Sequence, residues 1–176
     1  NILHDYKIFS TTGFTSRELY QIRKNNNESN NKDFYVVGSM GHCSSIASGY
    51  CLFSKNKTLC IDGDGSLLMH MGNMSTIGNL NINLVHIMLN NNRHESVGGQ
   101  TTNSKKTNFS EIAKSCNYKK TFSIEKKEEL ISLLNNKKII ENGPVFIELK
   151  INFGSVDNLG RPDNKFINLK ENFMNC

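Results

Sequence analysis

The sequence predicts an α/β fold in three layers, helix on sheet on helix, around a mostly parallel sheet of about six strands. Three observations carry that expectation. Short, continuously apolar runs alternate with helix-patterned segments from end to end, as in a parallel sheet buried on both faces. The 176 residues suffice for a single domain (1–176) with its own core and not for two ordinary ones. Glycine-rich or polar turns follow Val37, Asp62 and Leu89, at strand ends where open α/β sheets bind ligands.

The elements follow in order. Tyr6–Thr11 reads as a first strand, and a helix from Thr15 shows Thr15 and Glu18 in capping-box spacing with Leu19 and Ile22 on one face. A polar loop, Asn25–Lys32, leads to a short buried strand, Phe34–Val37, and a turn at Gly38-Ser39-Met40-Gly41. Ser44–Phe53 reads as a small-residue helix, Thr58–Asp62 as a strand stopped by glycine, Leu67–Ile77 as one helix, and Asn83–Leu89 as the clearest strand. The polar stretch Asn90–Thr107 has no periodicity, and loops of that length inside a compact domain are usually functional. A helix at Phe109–Cys116, a strand at Lys119–Phe122, a helix at Glu125–Leu134 capped by Ser123, and a strand at Pro144–Lys150 complete the pattern. The tail from Asn152, with Gly154, Gly160 and Pro162, is expected to run irregularly over the surface.

Composition narrows the function. Hydrophobic residues make up 37% and charged residues 21%, the balance of a globular chain. No apolar run reaches the roughly 18–20 residues that cross a bilayer, and the first residues lack the pattern of a signal peptide, so no membrane partner is expected. The net charge of +5 is spread over lysines with no interleaved aromatics, which argues against nucleic acid. Five cysteines without a CxxC pair suggest neither a disulfide framework nor a zinc site, and a reducing, cytoplasmic compartment is the expectation.

The chemistry sits in the strand-end turns. Gly63-Asp64-Gly65-Ser66 combines two glycines, which allow close backbone approach, with an acid that tolerates a phosphate only through a divalent cation. An EF-hand is excluded, because its sixth and twelfth positions counted from Asp62 are Leu67 and Asn73 rather than Gly and Glu. Asn91 lies 27 residues beyond Asp64, one helix and one strand later, so both leave the same sheet edge. Its amide oxygen is a neutral hard ligand suited to Mg²⁺. Asn92 is of a type that tolerates a left-handed backbone, which would present the Arg93 carbonyl as a further ligand. Met40, in the glycine-rich turn after Val37, is a large, soft side chain at a strand end.

These stretches resemble the phosphonopyruvate decarboxylases, with the sulfopyruvate decarboxylases as near relatives, in the C-terminal diphosphate-binding half. The resemblance runs through Thr11-Thr12-Gly13, Val37–His42, Asp62–Gly72, Leu89–Asn91, His94–Gln100 and Leu159-Gly160-Arg161-Pro162. It implies a thiamin diphosphate-binding fold and Mg²⁺-dependent, nonoxidative decarboxylation of a 2-oxo acid with a second anionic group. Asp64, Asn91 and the Arg93 carbonyl would be the metal ligands. Thr12, Gly13, Gly65 and Ser66 would hold the diphosphate, and Gly38, Ser39 and Met40 the aminopyrimidine. His94 and Gln100 are the candidates for substrate contact or proton transfer. Arg93 departs from the small residue usual in relatives. The activating glutamate belongs, in that family, to an N-terminal domain usually supplied by a neighbouring subunit, and nothing here resembles that domain. An oligomer, with this chain as a piece of a longer enzyme or the smaller subunit of a split one, is therefore expected. The alternatives are an acetolactate synthase-like enzyme and a noncatalytic cofactor-binding subunit.

Overall fold

The computed structural model describes residues 5–162 and 165–176. Six strands form one sheet: β1 (Tyr6–Ser10), β2 (Asp33–Tyr35), β3 (Lys57–Gly63), β4 (Leu84–Asn90), β7 (Lys120–Ile124) and β8 (Val145–Lys150). Their order is β2-β1-β3-β4-β8-β7 and every pair is parallel. The helices are α1 (Phe14–Asn25), α2 (Cys43–Phe53), α3 (Asp64–Met69), α4 (Asn73–Asn79), α5 (Phe109–Ser115), α6 (Lys127–Asn135), α7 (Lys137–Ile140) and α8 (Phe166–Met174). A two-stranded antiparallel hairpin, β5 (Arg93–His94) with β6 (Gln100–Thr101), stands apart from the sheet.

Alternation along the strands builds two cores. Phe9, Cys60, Met88 and Phe146 point to one face, under Ala47 of α2, Met74 and Ile77 of α4, Phe109 of α5 and Phe173 of α8. Ile8, Leu59, Ile87 and Ile147 point to the other, under Leu19 of α1, Leu134 of α6 and Ile140 of α7. Both faces are covered by helices, so the expected three layers are present. Because α1 and α3 lie on opposite faces, the loops after β1 and β3 diverge between neighbouring strands. That split is the crevice in which doubly wound sheets take ligands.

Several local expectations give way. Helix α1 starts at Phe14 behind Gly13, which has φ +96° and no side-chain cap, so Thr15 and Glu18 make no capping box. A Cβ on Gly13 would stand 2.7 Å from Ser96 Oγ, and this close approach fixes where the helix begins. The single helix expected over Leu67–Ile77 is two, broken at His70–Gly72, while the apolar spacing of Leu67, Met74 and Ile77 continues across the break. Ser123 lies in β7 and donates to Glu148, so it does not cap α6. The tail ends in a helix: Phe173 packs among Phe9, Phe34 and Tyr50, and Lys7 donates to its carbonyl at 2.5 Å.

One polar contact inside the fold has a large energetic consequence. Arg23 on α1 bonds the carboxylate of Asp33 on β2 through two nitrogens, at 2.9 and 3.1 Å, with the Asp33 side chain fully buried. Breaking this pair leaves Arg23 with Glu28 alone, at 2.7 Å, so part of the charge stays compensated. Asp33→Ala is expected to cost about 2–3 kcal/mol in urea denaturation, whereas Lys57→Ala, in an exposed ion pair with Glu141, costs less than about 1 kcal/mol.

Candidate functional site

The ends of β1, β3 and β4 open into a single cavity, and most of the predicted site residues meet there. Thr12, Met40, Asp64, Gly65, Ser66, Asn91, Arg93 and His94 all line it, although they come from four separate stretches of chain. Gly13 lines the adjoining apolar groove, which shares Thr12, Phe14, Met40 and Ser96 with the cavity. Gly38 and Ser39 form an exposed turn with φ of +66° and +44°; Ser39 borders a separate surface groove. Gln100 lies outside the cavity, paired with His94 across the hairpin, its amide against Gly98.

Asp64 is the anchor. It opens α3, is 2% exposed, and accepts hydrogen bonds at Oδ2 from Thr102 Oγ1 and Ser104 Oγ, each at 2.6 Å. The two hydroxyls also contact each other. Neither takes Oδ1, and one carboxylate oxygen is thus fixed by protein donors. Thr102 and Ser104 come from the long loop after β4. No motif marks them; the only signal was that this loop is long and polar.

Asn91 is held from both ends of its amide. Nδ2 donates to Glu95 Oε2 at 2.6 Å, and Oδ1 accepts from the Arg93 backbone at 3.0 Å. Asn92 adopts φ +59°, the left-handed conformation expected of it, and its carbonyl accepts from the Thr102 backbone. Glu95 Oε1 in turn accepts from the Gly154 backbone, fastening the start of the tail to the site. The Arg93 side chain donates to the Gly99 carbonyl and lies 4.8 Å from the Phe153 ring centre.

Ser66 ties the strand-end loops together. Its hydroxyl, buried, pairs with Thr11 Oγ1 at 2.9 Å and accepts from the Gly41 backbone at 3.0 Å. The loops after β1, β2 and β3 therefore meet at one oxygen. Glycine at position 65 is required by His94, since a Cβ there would come within 2.4 Å of the imidazole. That contact sets the His94 ring on the backbone expected to hold a diphosphate.

The cavity is lined by the Asp64 carboxylate and the Asn91 amide, with Arg93 beside them. Oxygen groups of that kind suit a hard cation such as Mg²⁺ with a phosphate supplying further ligands. The residues present thus fit both the metal and the diphosphate.

Comparison with known proteins identifies the family. The thiamine pyrophosphate enzyme, C-terminal TPP binding domain, matches residues 11–149. The chain is 36% identical over 159 residues to a phosphonopyruvate decarboxylase of Streptomyces viridochromogenes, covering 90% of this chain and 38% of that protein. It is 40% identical over 136 residues to sulfopyruvate decarboxylase subunit beta of Methanocaldococcus jannaschii, covering 74% of this chain and 70% of that one. It therefore spans well under half the length of the first relative and most of the second. A thiamine diphosphate-dependent 4-hydroxybenzoylformate decarboxylase from Rhodococcus jostii RHA1 has the same fold, with TM-score 0.67, 17% identity, and coverage of 87% of this chain and 31% of that chain.

The two hydroxyls on Asp64 make a checkable claim. Thr102→Val combined with Ser104→Ala is expected to weaken Mg²⁺ binding about 10–100-fold in a calorimetric titration, with circular dichroism unchanged.

Proposed function

The chain belongs to the thiamine pyrophosphate enzymes, as their C-terminal TPP-binding domain, and from that premise we propose that it forms the diphosphate- and Mg²⁺-binding half of a 2-oxo acid decarboxylase. The reaction we favour is phosphonopyruvate to phosphonoacetaldehyde and CO₂. The observation that carries the reading is the meeting of Asp64, Asn91 and Arg93 with Gly65 and Ser66 around one cavity.

When bound, thiamin diphosphate supplies the electron sink for loss of CO₂. The chain's own residues do the rest. Asp64, Asn91 and the Arg93 carbonyl would hold Mg²⁺, with Thr102, Ser104 and Glu95 keeping the first two in place. Thr12, Gly13, Gly65 and Ser66 would hold the diphosphate, and Gly38, Ser39 and Met40 the aminopyrimidine, with Met40 facing it from the cavity wall. His94, in the hairpin over Gly65, would contact the substrate or move a proton at its imidazole. Gln100 would steady that hairpin from the paired strand rather than reach the cavity itself. The second anionic group of the substrate, the activating glutamate and the partner domain or subunit that brings it all lie beyond this chain in the proposal. An oligomer and a cytoplasmic setting accompany it; among the described residues no helix is long and apolar enough to cross a membrane.

A second reading has one observation in its favour. The chain covers 70% and 79% of two sulfopyruvate decarboxylase beta subunits, a better match in length than the phosphonopyruvate enzymes give. Turnover of phosphonopyruvate, sulfopyruvate and pyruvate by the complete enzyme separates the two. Phosphonopyruvate is expected to give the highest kcat/KM; preference for sulfopyruvate favours the second reading, and preference for pyruvate overturns both. Independently, Asp64→Ala is expected to weaken binding of thiamin diphosphate with Mg²⁺ at least about 100-fold by calorimetry. His94→Gln is expected to lower kcat about 10–100-fold while leaving that binding intact.

A further inference from the structure

Beneath the cofactor loops lies a second cluster of ligand-type side chains that the proposed reaction does not use. Cys60 and Asp62 point to the same face of β3, and His86 on β4 is the register partner of Cys60. All three are fully buried, and a thiol sulfur, a carboxylate oxygen and an imidazole nitrogen lie within 4.8 Å of one another.

Two atoms of this cluster lack partners. Asp62 Oδ1 accepts from the Gly63 backbone at 2.9 Å and His86 Nδ1 pairs with the Tyr118 hydroxyl at 3.0 Å. The remaining atoms, Asp62 Oδ2 and His86 Nε2, have no hydrogen bond and face each other at 3.7 Å. That gap exceeds the roughly 2.7–3.2 Å of an N–H···O bond, and a water set between them would hold them farther apart. Buried polar groups left so are costly unless something joins them.

We propose that Cys60, Asp62 and His86 bind Zn²⁺, or a divalent cation of similar softness, as a structural ion taken up while the chain folds. Two ligand atoms about 2.0–2.1 Å from one zinc stand roughly 3.3 Å apart at the tetrahedral angle, so the Asp62–His86 gap closes by only a few tenths of an ångström. A mixed sulfur, nitrogen and oxygen set excludes Mg²⁺ and Ca²⁺. Charge also balances: Cys60 as thiolate with the Asp62 carboxylate neutralises a divalent ion in a shell that includes Phe146 and Met88. Burial drives the Cys60 thiol well above its ordinary pKa, so without an ion that sulfur keeps its proton and the ion takes the proton's place. Tyr118, on His86 Nδ1, fixes the imidazole so that Nε2 faces the ion, the outer-shell arrangement of zinc-bound histidines. The ion would join β3 to β4, the strands that lead directly into Asp64 and Asn91.

The test is metal content of the complete enzyme, purified without chelator and then dialysed against EDTA until Mg²⁺ and thiamin diphosphate are gone. About one equivalent of zinc per chain is expected to remain, falling below about a tenth in Cys60→Ala and in Asp62→Asn and unchanged in Asp64→Ala. Refolding with Co²⁺ is expected to give the near-ultraviolet charge-transfer band of a thiolate ligand together with visible cobalt bands. Folded wild-type enzyme with less than about a tenth of an equivalent and no cobalt bands overturns the proposal, as does full zinc retention in both cluster variants. Should the variants fail to fold, the wild-type zinc and cobalt measurements decide alone.

Discussion

A carboxylate buried at the end of a strand must be satisfied from outside that strand, and here Asp64 is satisfied from the loop after β4. This requirement organises the site. Thr102 and Ser104 can reach Asp64 only if the chain leaving β4 folds back over β3, and the hairpin of β5 and β6 makes that turn. The same fold-back lays His94 on Gly65 and brings Asn91 to the cavity. Hydroxyls hold a carboxylate by hydrogen bonds without cancelling its charge, so Asp64 is positioned and stays able to attract a cation. A lysine in their place would have satisfied the burial and competed with the metal.

A second line of contacts steadies the other half of the site from within the sheet. Glu148, buried on β8, accepts from Ser123 on β7 at 2.8 Å and from Asn90 at the end of β4 at 2.7 Å. Asn90 Oδ1 then accepts from the Asn92 backbone, at the left-handed residue that swings Asn91 and Arg93 into place. Three neighbouring strands thus set the conformation of one turn.

Features that repeat along the chain were legible in the sequence. The strands announced themselves as apolar runs, and the layers followed because both faces of each strand are apolar. Asp64, Gly65 and Asn91 could be read because their spacing places two strand ends on one edge. What escaped depends on partners distant in sequence. Thr102 and Ser104 are ordinary loop hydroxyls until Asp64 is beside them. Ser66 has a structural duty, joining Thr11 to Gly41, that no local pattern shows. Gln100 belonged to the matching stretch, yet its strand partner His94 is the one on the cavity side. The final helix was hidden by Gly154, Gly160 and Pro162 before it, although Phe166, Leu169 and Phe173 already carried helical spacing. The cysteines, sparse and unpaired in sequence, gave no sign that Cys60 would adjoin Asp62 and His86.

The C-terminal stretch leaves β8 beside the cavity and finishes on the far side of the sheet, against β1 and β2. Along the way it is pinned at Gly154 by Glu95, at Leu159 and Gly160 by Arg17, and finally at Phe173 by Lys7 and an aromatic cluster. It works as a belt whose buckle is remote from what it girdles. Losing one of those rings or the Lys7 contact would loosen α8 from β1 and β2, so the seal on that side of the sheet depends on residues at the opposite end of the chain.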